Sequence, residues 1–208
     1  MVLLADTRKF HYLSAMICVA QNLSWQIRQA RLTDLVHWVA YKRIVVGETP
    51  YLLQTLADGA GQWAYEKDNF TLTLEMRSAQ LLLAVRQDCV ILGHCHLVRG
   101  NLVASAHVGT LALAVVGAYW RRGIGGQLLQ HAIDWALLQP ELRKISLQVH
   151  ATNAPAQALY ARYGFGVEGR LLGEARRVTD GSDVWDDLLP MGLWLDNVAR
   201  PKDEESAR

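Results

Sequence analysis

Two stretches of this sequence carry residue types that can do chemistry. The first is Tyr119-Trp120-Arg121-Arg122-Gly123-Ile124-Gly125-Gly126. Small apolar residues precede it, and an apolar pattern at helical spacing follows. A strand that passes through a glycine turn into a helix leaves backbone N–H groups unpaired at the positive end of the helix dipole. Glycine lets a ligand approach the backbone, and Arg121 or Arg122 adds charge. The stretch is therefore either a pyrophosphate cradle or a tight strand-to-helix turn that uses glycine for packing. A P-loop would need Gly-Lys-Ser/Thr where Gly126-Gln127-Leu128 stands. A dinucleotide fingerprint would need G-x-G-x-x-G after an early strand, and this cluster lies past the middle of the chain.

The second stretch is "LQVHATNAPAQALYARYGFGVEGR". Asn153 and Pro155 are a cap and a first-turn residue for a short helix. That helix carries Tyr160 and ends at Gly164. Basic and acidic side chains for proton transfer are sparse nearby. No Asp or Glu occurs between Asp88 and Asp134. The histidines are His94 and His96 on one strand, His107 before the next, and His150 at the end of "KISLQVH". A neutral imidazole can act as a base near pH 7, and each of these four is also readable as a structural residue. Asp186-Asp187 faces either a substrate mouth or solvent. His94-Cys95-His96 does not read as a metal site, because neighbours on a strand point to opposite faces.

These residues need elements to hold them. Residues Trp25–Ala30 read as a strand, and Thr33-Asp34 opens a helix with Leu35, Trp38, Val39 and Val46 on its apolar side. "YLLQTLADG" is a second short helix, and Gly59–Gln80 reads as loop plus helix. Leu81–Val85 and Val90–Val98 form a hairpin around Gln87-Asp88. A fourth strand near His107–Val116 runs into the glycine loop. The helix beyond it carries Leu128, Leu129, Ala132, Ile133 and Trp135, and Pro140 stops it. "KISLQVH", the capped helix and two late strands, "GFGVEGRLL" and "DDLLPMGLWL", complete an α/β layer structure.

A chain of 208 residues, 51% hydrophobic, can bury a full core as one domain. Its 21 basic and 20 acidic residues leave a net charge of +1, which asks for neither nucleic acid nor an anionic membrane. No apolar run reaches the roughly 20 residues of a membrane span. Arg8-Lys9 before "FHYLSAMICVA" faintly resembles a signal peptide, but Asp6, His11, Tyr12 and Ser14 interrupt the pattern. We expect residues 1–24 to be an N-terminal extension, 25–195 the domain and 196–208 a charged tail. Three cysteines, Cys18, Cys89 and Cys95, form no CxxC pair, and the expectation is a reducing, cytoplasmic setting.

Together the two stretches resemble the GNAT superfamily of acyl-CoA-dependent N-acetyltransferases. The family's loop reads roughly Q/R-x-x-G-x-G/A, and Trp120-Arg121-Arg122-Gly123-Ile124-Gly125 matches it from the fourth position. Tyr119-Trp120 resembles the lead-in of the ribosomal-protein N-terminal and polyamine acetyltransferase branch. The family's N-x-x-A-x-x-L-Y-x-x-x-G-F segment is Asn153 to Phe165 here. The resemblance also takes in "IRQARLTD" and "DDLLPMGLWL" and covers about residues 25–195.

The resemblance implies a mixed, mostly antiparallel sheet flanked by helices, with the fourth and fifth strands splayed apart. It implies acetyl-CoA as co-substrate between those strands. The pyrophosphate would rest on Arg121, Arg122, Gly123, Ile124, Gly125 and Gly126, and the pantetheine arm on the backbone near Leu113 and Val115. Asn153 joins the cofactor-binding set, and no metal is implied. A primary amine, from a small molecule or a protein N-terminus, would attack the thioester directly. Tyr160 matches the usual proton donor to the departing thiolate; its other reading is a half-buried core tyrosine. Many relatives carry a glutamate base on the fourth strand, where Thr110 stands here. That difference leaves a second reading, an acyl-CoA-binding module without transferase activity. Seven tryptophans and the apolar extension leave surface to cover, and a homodimer is expected.

Overall fold

The computed structural model of the chain describes residues 24–52, 59–179 and 182–198. The N-terminal extension, the middle of "YLLQTLADG" and nearly all of the charged tail lie outside the described residues.

Eight strands form one sheet: β1 (Trp25–Gln29), β2 (Ala79–Arg86), β3 (Ile91–Arg99), β4 (Val108–Val115), β5 (Lys144–His150), β6 (Gly166–Val167), β7 (Leu171–Thr179) and β8 (Ser182–Trp194). Among the described residues four α-helices accompany them: α1 (Leu35–Glu48), α2 (Gly59–Glu75), α3 (Ile124–Leu137) and α4 (Ala154–Arg162). The sheet order is β1-β2-β3-β4-β5-β8-β6, with β7 also paired to β8. Every pairing is antiparallel except β4 with β5.

The apolar run of β2 reflects burial on both faces. Leu82 and Ala84 meet the cluster that α3 forms with Leu128, Leu129, Ala132 and Ile133. Leu81, Leu83 and Val85 meet Trp38, Tyr41 and Val45 of α1 and Phe70 of α2. The α3 pattern therefore reads one side of the sheet and the α1–α2 pattern the other.

Three local readings change. The segment 59–80 is mostly helix, since α2 runs to Glu75 before β2 begins. Asp34 precedes α1 but makes no side-chain cap. Its carboxylate accepts from the Arg31 N–H at 2.8 Å and is forked by the Arg28 guanidinium, with both contacts at 2.7 Å. The end of the chain holds three strands rather than two, because β8 begins at Ser182 and turns back along β7. Asp183, Asp186 and Asp187 flank Val184-Trp185 and hid that hairpin from a reading based on apolar runs. Among the described residues no helix is long and apolar enough to cross a membrane.

Candidate active site

β4 and β5 pair for three residues only: Val108 with Lys144, Gly109 with Ile145 and Thr110 with Ser146. Beyond Thr110, β4 stays with β3 as far as Val115. β5 stays with β8 as far as His150. The two strands thus part into a V, as expected. The Val116 N–H donates to the Leu92 carbonyl, continuing the regular β3–β4 register. Backbone groups alternate in an antiparallel pair, so those of Leu113 and Val115 face away from β3, towards the open side. The carbonyl of Val115 accepts the indole N–H of Trp120 at 2.6 Å. That bond gives a local reason for tryptophan at the head of the glycine loop.

At the top of β4 the chain enters the loop. Arg121 and Gly123 both adopt positive φ, 59° and 86°. Gln127 N–H bonds the Gly123 carbonyl and closes the first turn of α3. The N–H groups of residues 121–126 have no partner among the described residues. Arg121 and Arg122 are exposed beside them, and Arg122 lies over the Tyr119 ring. Curled N–H groups, a helix N-terminus and two guanidinium groups together can hold an anion.

The glycines differ in what requires them. Gly123 needs its left-handed conformation. A Cβ on Gly126 would come within 2.8 Å of the Tyr163 hydroxyl. A Cβ on Gly125 would make only ordinary contacts with Leu159, Leu113 and Val115. Neither backbone nor packing demands glycine at 125. Its missing side chain instead leaves space between β4 and α4, inside the V.

α4 follows β5 through a cap in which Asn153 Oδ1 accepts the Ala156 N–H at 3.3 Å. The Asn153 side chain is therefore committed to the helix start. Gly164, with φ of 88°, ends the helix as expected. Tyr160 is buried against Phe165, and its hydroxyl has no hydrogen-bond partner among the described residues. Burial raises its pKa well above the ordinary phenol value, with a smaller contribution from Cys95. Cys95 faces Leu113 across the β3–β4 ladder, which places Tyr160 by the open part of β4.

The histidines separate. His94 and His96 are on β3, beneath α1 and α2. His94 Nδ1 lies 2.8 Å from the Tyr41 hydroxyl, which donates to the Ala114 carbonyl. Burial holds the His94 pKa well below its usual value and lowers that of His96 to about 4. Burial thus disfavours the charged form of both, more strongly for the buried His94 than for the half-buried His96. His107 is exposed, and its carbonyl accepts from Arg143 and Lys144. His150 is 3% exposed, and Asp186, read from sequence as a mouth or solvent residue, is 4% exposed. Asp186 lies within β8 and binds His150, Thr152 and Arg177. Its partners Thr152 and Arg177, and the neighbouring Tyr51, carried no sequence signal. Asp187 takes the other side of the strand and accepts from Arg170 and the Gly173 N–H.

An open sheet whose two parallel strands part beside an N–H-lined glycine turn is the arrangement that the resemblance implies. The chain belongs to the acetyltransferase (GNAT) family, whose profile matches residues 50–165. It is 29% identical over 90 residues to the L-amino acid N-acetyltransferase AaaT of Escherichia coli (strain K12). That match covers 43% of this chain and 54% of the relative, so the chain spans about half the length of that protein. Among solved structures, a GNAT-family acetyltransferase from Streptococcus pneumoniae has a TM-score of 0.73 at 27% identity, covering 82% of this chain and 99% of that one. A phosphinothricin acetyltransferase from Sinorhizobium meliloti, in complex with acetyl-CoA, shares the fold with a TM-score of 0.69 at 16% identity, over 83% of this chain and 89% of that one.

Proposed function

We propose that this protein is an N-acetyltransferase that takes acetyl-CoA as co-substrate and transfers its acetyl group to a primary amine. The observation that carries the reading is the V between β4 and β5, with the N–H groups of residues 121–126, unpaired among the described residues, at its end. The pyrophosphate rests on those groups beside Arg121 and Arg122, and the pantetheine arm runs along Leu113 and Val115. A thioester carbonyl held on a backbone N–H gains oxyanion stabilisation as the tetrahedral intermediate forms. The amine attacks the carbonyl carbon directly in a ternary complex, and the C–S bond breaks. Tyr160 gives its proton to the departing thiolate. Burial that keeps the phenol protonated also raises the basicity of a thiolate expelled beside it.

The acceptor is a small-molecule amine or a protein N-terminal amine. The name of the Escherichia coli relative favours the former. The catalytic domain is residues 25–195, and it works as a homodimer. Exposed Leu172, Val184 and Trp185 on the β7–β8 hairpin support that pairing, and light scattering tests it. A cytoplasmic setting accords with the free thiols of Cys89 and Cys95. The exposed Thr110, where many relatives carry a glutamate, favours the second reading of a binding module without transfer. Calorimetry with acetyl-CoA, followed by thiol release with a panel of amines, separates the two. Binding with acetyl transfer supports the enzyme; binding without any transfer leaves only the module; no binding removes both.

A further inference from the structure

His150 and Asp186 form a buried pair that the fold does not require for its apolar packing. β5 alternates: Ile145, Leu147 and Val149 enter the α3-side core, so Ser146, Gln148 and His150 face the other side. Thr110 pairs with Ser146 and shares that face. So do Ala112 and Ala114, which follow Thr110 along the open part of β4. His150 thus ends the β5 arm of the V on the α1–α2 side. Tyr160 belongs to the opposite side, beside Cys95 and Leu113.

The pair is fixed from several directions. His150 Nδ1 donates to Asp186 Oδ2 at 2.9 Å, and the Thr152 hydroxyl donates to the same oxygen at 2.6 Å. Arg177 Nε lies 3.1 Å from it. Burial pushes the Asp186 carboxyl up, but the bonds from Thr152 and His150 and the Arg177 charge together hold it below the ordinary value. The His150 carbonyl accepts from Asn153 N–H and from the Gln157 side chain. The Tyr51 ring stands against the imidazole at 5.6 Å, its hydroxyl bonds the Thr152 carbonyl, and Arg177 lies over its ring. The charged groups around the imidazole are thus Asp186 directly and Arg177 through it.

An ionised Asp186 accepts the Nδ1 proton, which leaves Nε2 as the basic nitrogen of a neutral ring. Nε2 is buried and has no hydrogen-bond partner among the described residues. A buried acceptor left unpaired is unfavourable. That cost is recovered when a donor arrives, and the acceptor amine is a donor.

We propose that His150 is the general base of this enzyme, accepting at Nε2 a proton from an alkylammonium acceptor, with Asp186 as its positioning residue. The inference rests on the acetyltransferase reading above. The ammonium gives one proton to Nε2, which passes it to solvent. The neutral amine then forms the C–N bond, and the C–S bond breaks as the tetrahedral intermediate collapses. The sulfur gains a proton from Tyr160, which is reprotonated from solvent, and the nitrogen loses its second proton on becoming an amide. Each turnover releases one proton net. The imidazole and the phenol serve opposite sides of the V, so neither needs to move between the two transfers.

The test is the pH profile of kcat/KM for an alkylamine that the parent turns over, with acetyl-CoA affinity measured alongside. His150→Gln is expected to fall about 100-fold or more at pH 7 with unchanged acetyl-CoA affinity. The deficit should shrink towards pH 9.5, where the amine sheds its own proton. A deficit constant across pH, or none, overturns the proposal. Should His150→Gln fail to fold, Asp186→Asn reads the same question. Removing the carboxylate takes away the acceptor that holds the proton on Nδ1, so kcat/KM should fall at pH 7 and recover towards pH 9.5. A deficit in Asp186→Asn that stays constant across pH, or none, overturns the proposal. A parent that binds acetyl-CoA and acetylates no amine overturns the enzyme reading with it; a parent that acetylates while the variants follow its profile overturns the base alone.

Discussion

The indole N–H of Trp120 bonds the carbonyl of Val115, 2.6 Å away and five residues earlier. This contact joins the last residue of β4 to the entrance of the glycine loop. It fixes the backbone end of the V against the turn whose N–H groups have no partner among the described residues. The same contact leaves the Val115 N–H, and both backbone groups of Leu113, on the open side.

Gly125 is the position where a side chain should interfere with ligand more than with folding. Its Cβ would make ordinary van der Waals contacts facing Leu113 and Val115. Gly125→Glu adds bulk inside the V and a negative charge beside the anion site. We expect acetyl-CoA binding to fall below detection by calorimetry. Binding at parental strength would remove the loop from the cofactor site.

Gly123 and Gly126 should behave differently. Gly123→Ala places a side chain at φ of 86° and should cost about 1–2 kcal/mol of stability. Gly126→Ala drives a methyl group towards the Tyr163 hydroxyl. In a double-mutant cycle, Tyr163→Phe should recover part of that loss, because the ring carbon behind the hydroxyl is 3.6 Å from the added Cβ. Chemical denaturation of the four proteins measures it, and strict additivity would contradict the steric account.

Tyr160→Phe keeps the ring packed on Phe165 and deletes a hydroxyl that has no hydrogen-bond partner among the described residues. The melting temperature and acetyl-CoA affinity should stay close to the parent's. Turnover should fall by about 100-fold or more, the usual contribution of a general acid. Parental turnover across the pH range would return Tyr160 to the core.

Asp34 and Asp186 should make the fold sensitive to acid. The bond from Arg28 lowers the Asp34 carboxyl against the opposing effect of burial. The Thr152, His150 and Arg177 contacts do the same for Asp186. A carboxyl depressed in the folded state binds fewer protons there than in the unfolded chain. Its stabilisation is complete above the unfolded value near pH ~4 and is lost as pH falls towards the folded one. Urea midpoints measured from pH 7 to pH 2 should therefore drop below pH ~4. Asp34→Asn should be less stable at neutral pH, by about 2 kcal/mol, and should decline less steeply in acid. A parallel decline would remove Asp34 from the acid-sensitive set.

The sequence by itself determined the parts of this protein that depend on neighbours along the chain. Gly123 after a strand, Asn153 and Pro155 at the start of a helix, and Gly164 after it act within a few residues, so their types reveal their conformations. The apolar period of α3 and the doubly buried run of β2 are local in the same sense. The tertiary structure alone decided what lies beside what. The parting of β4 from β5 depends on three ladder pairs and on β8 taking the far edge of β5. The His150–Asp186 contact spans 36 residues and exists because the β5–β8 register sets His150 against Leu188, one diagonal step from Asp186. Shifting that register by one residue would turn Asp186 to the opposite face. No period, cap or motif encodes such a pairing in one sequence, so an aspartate that looked solvated is the buried partner of the imidazole at the end of the V.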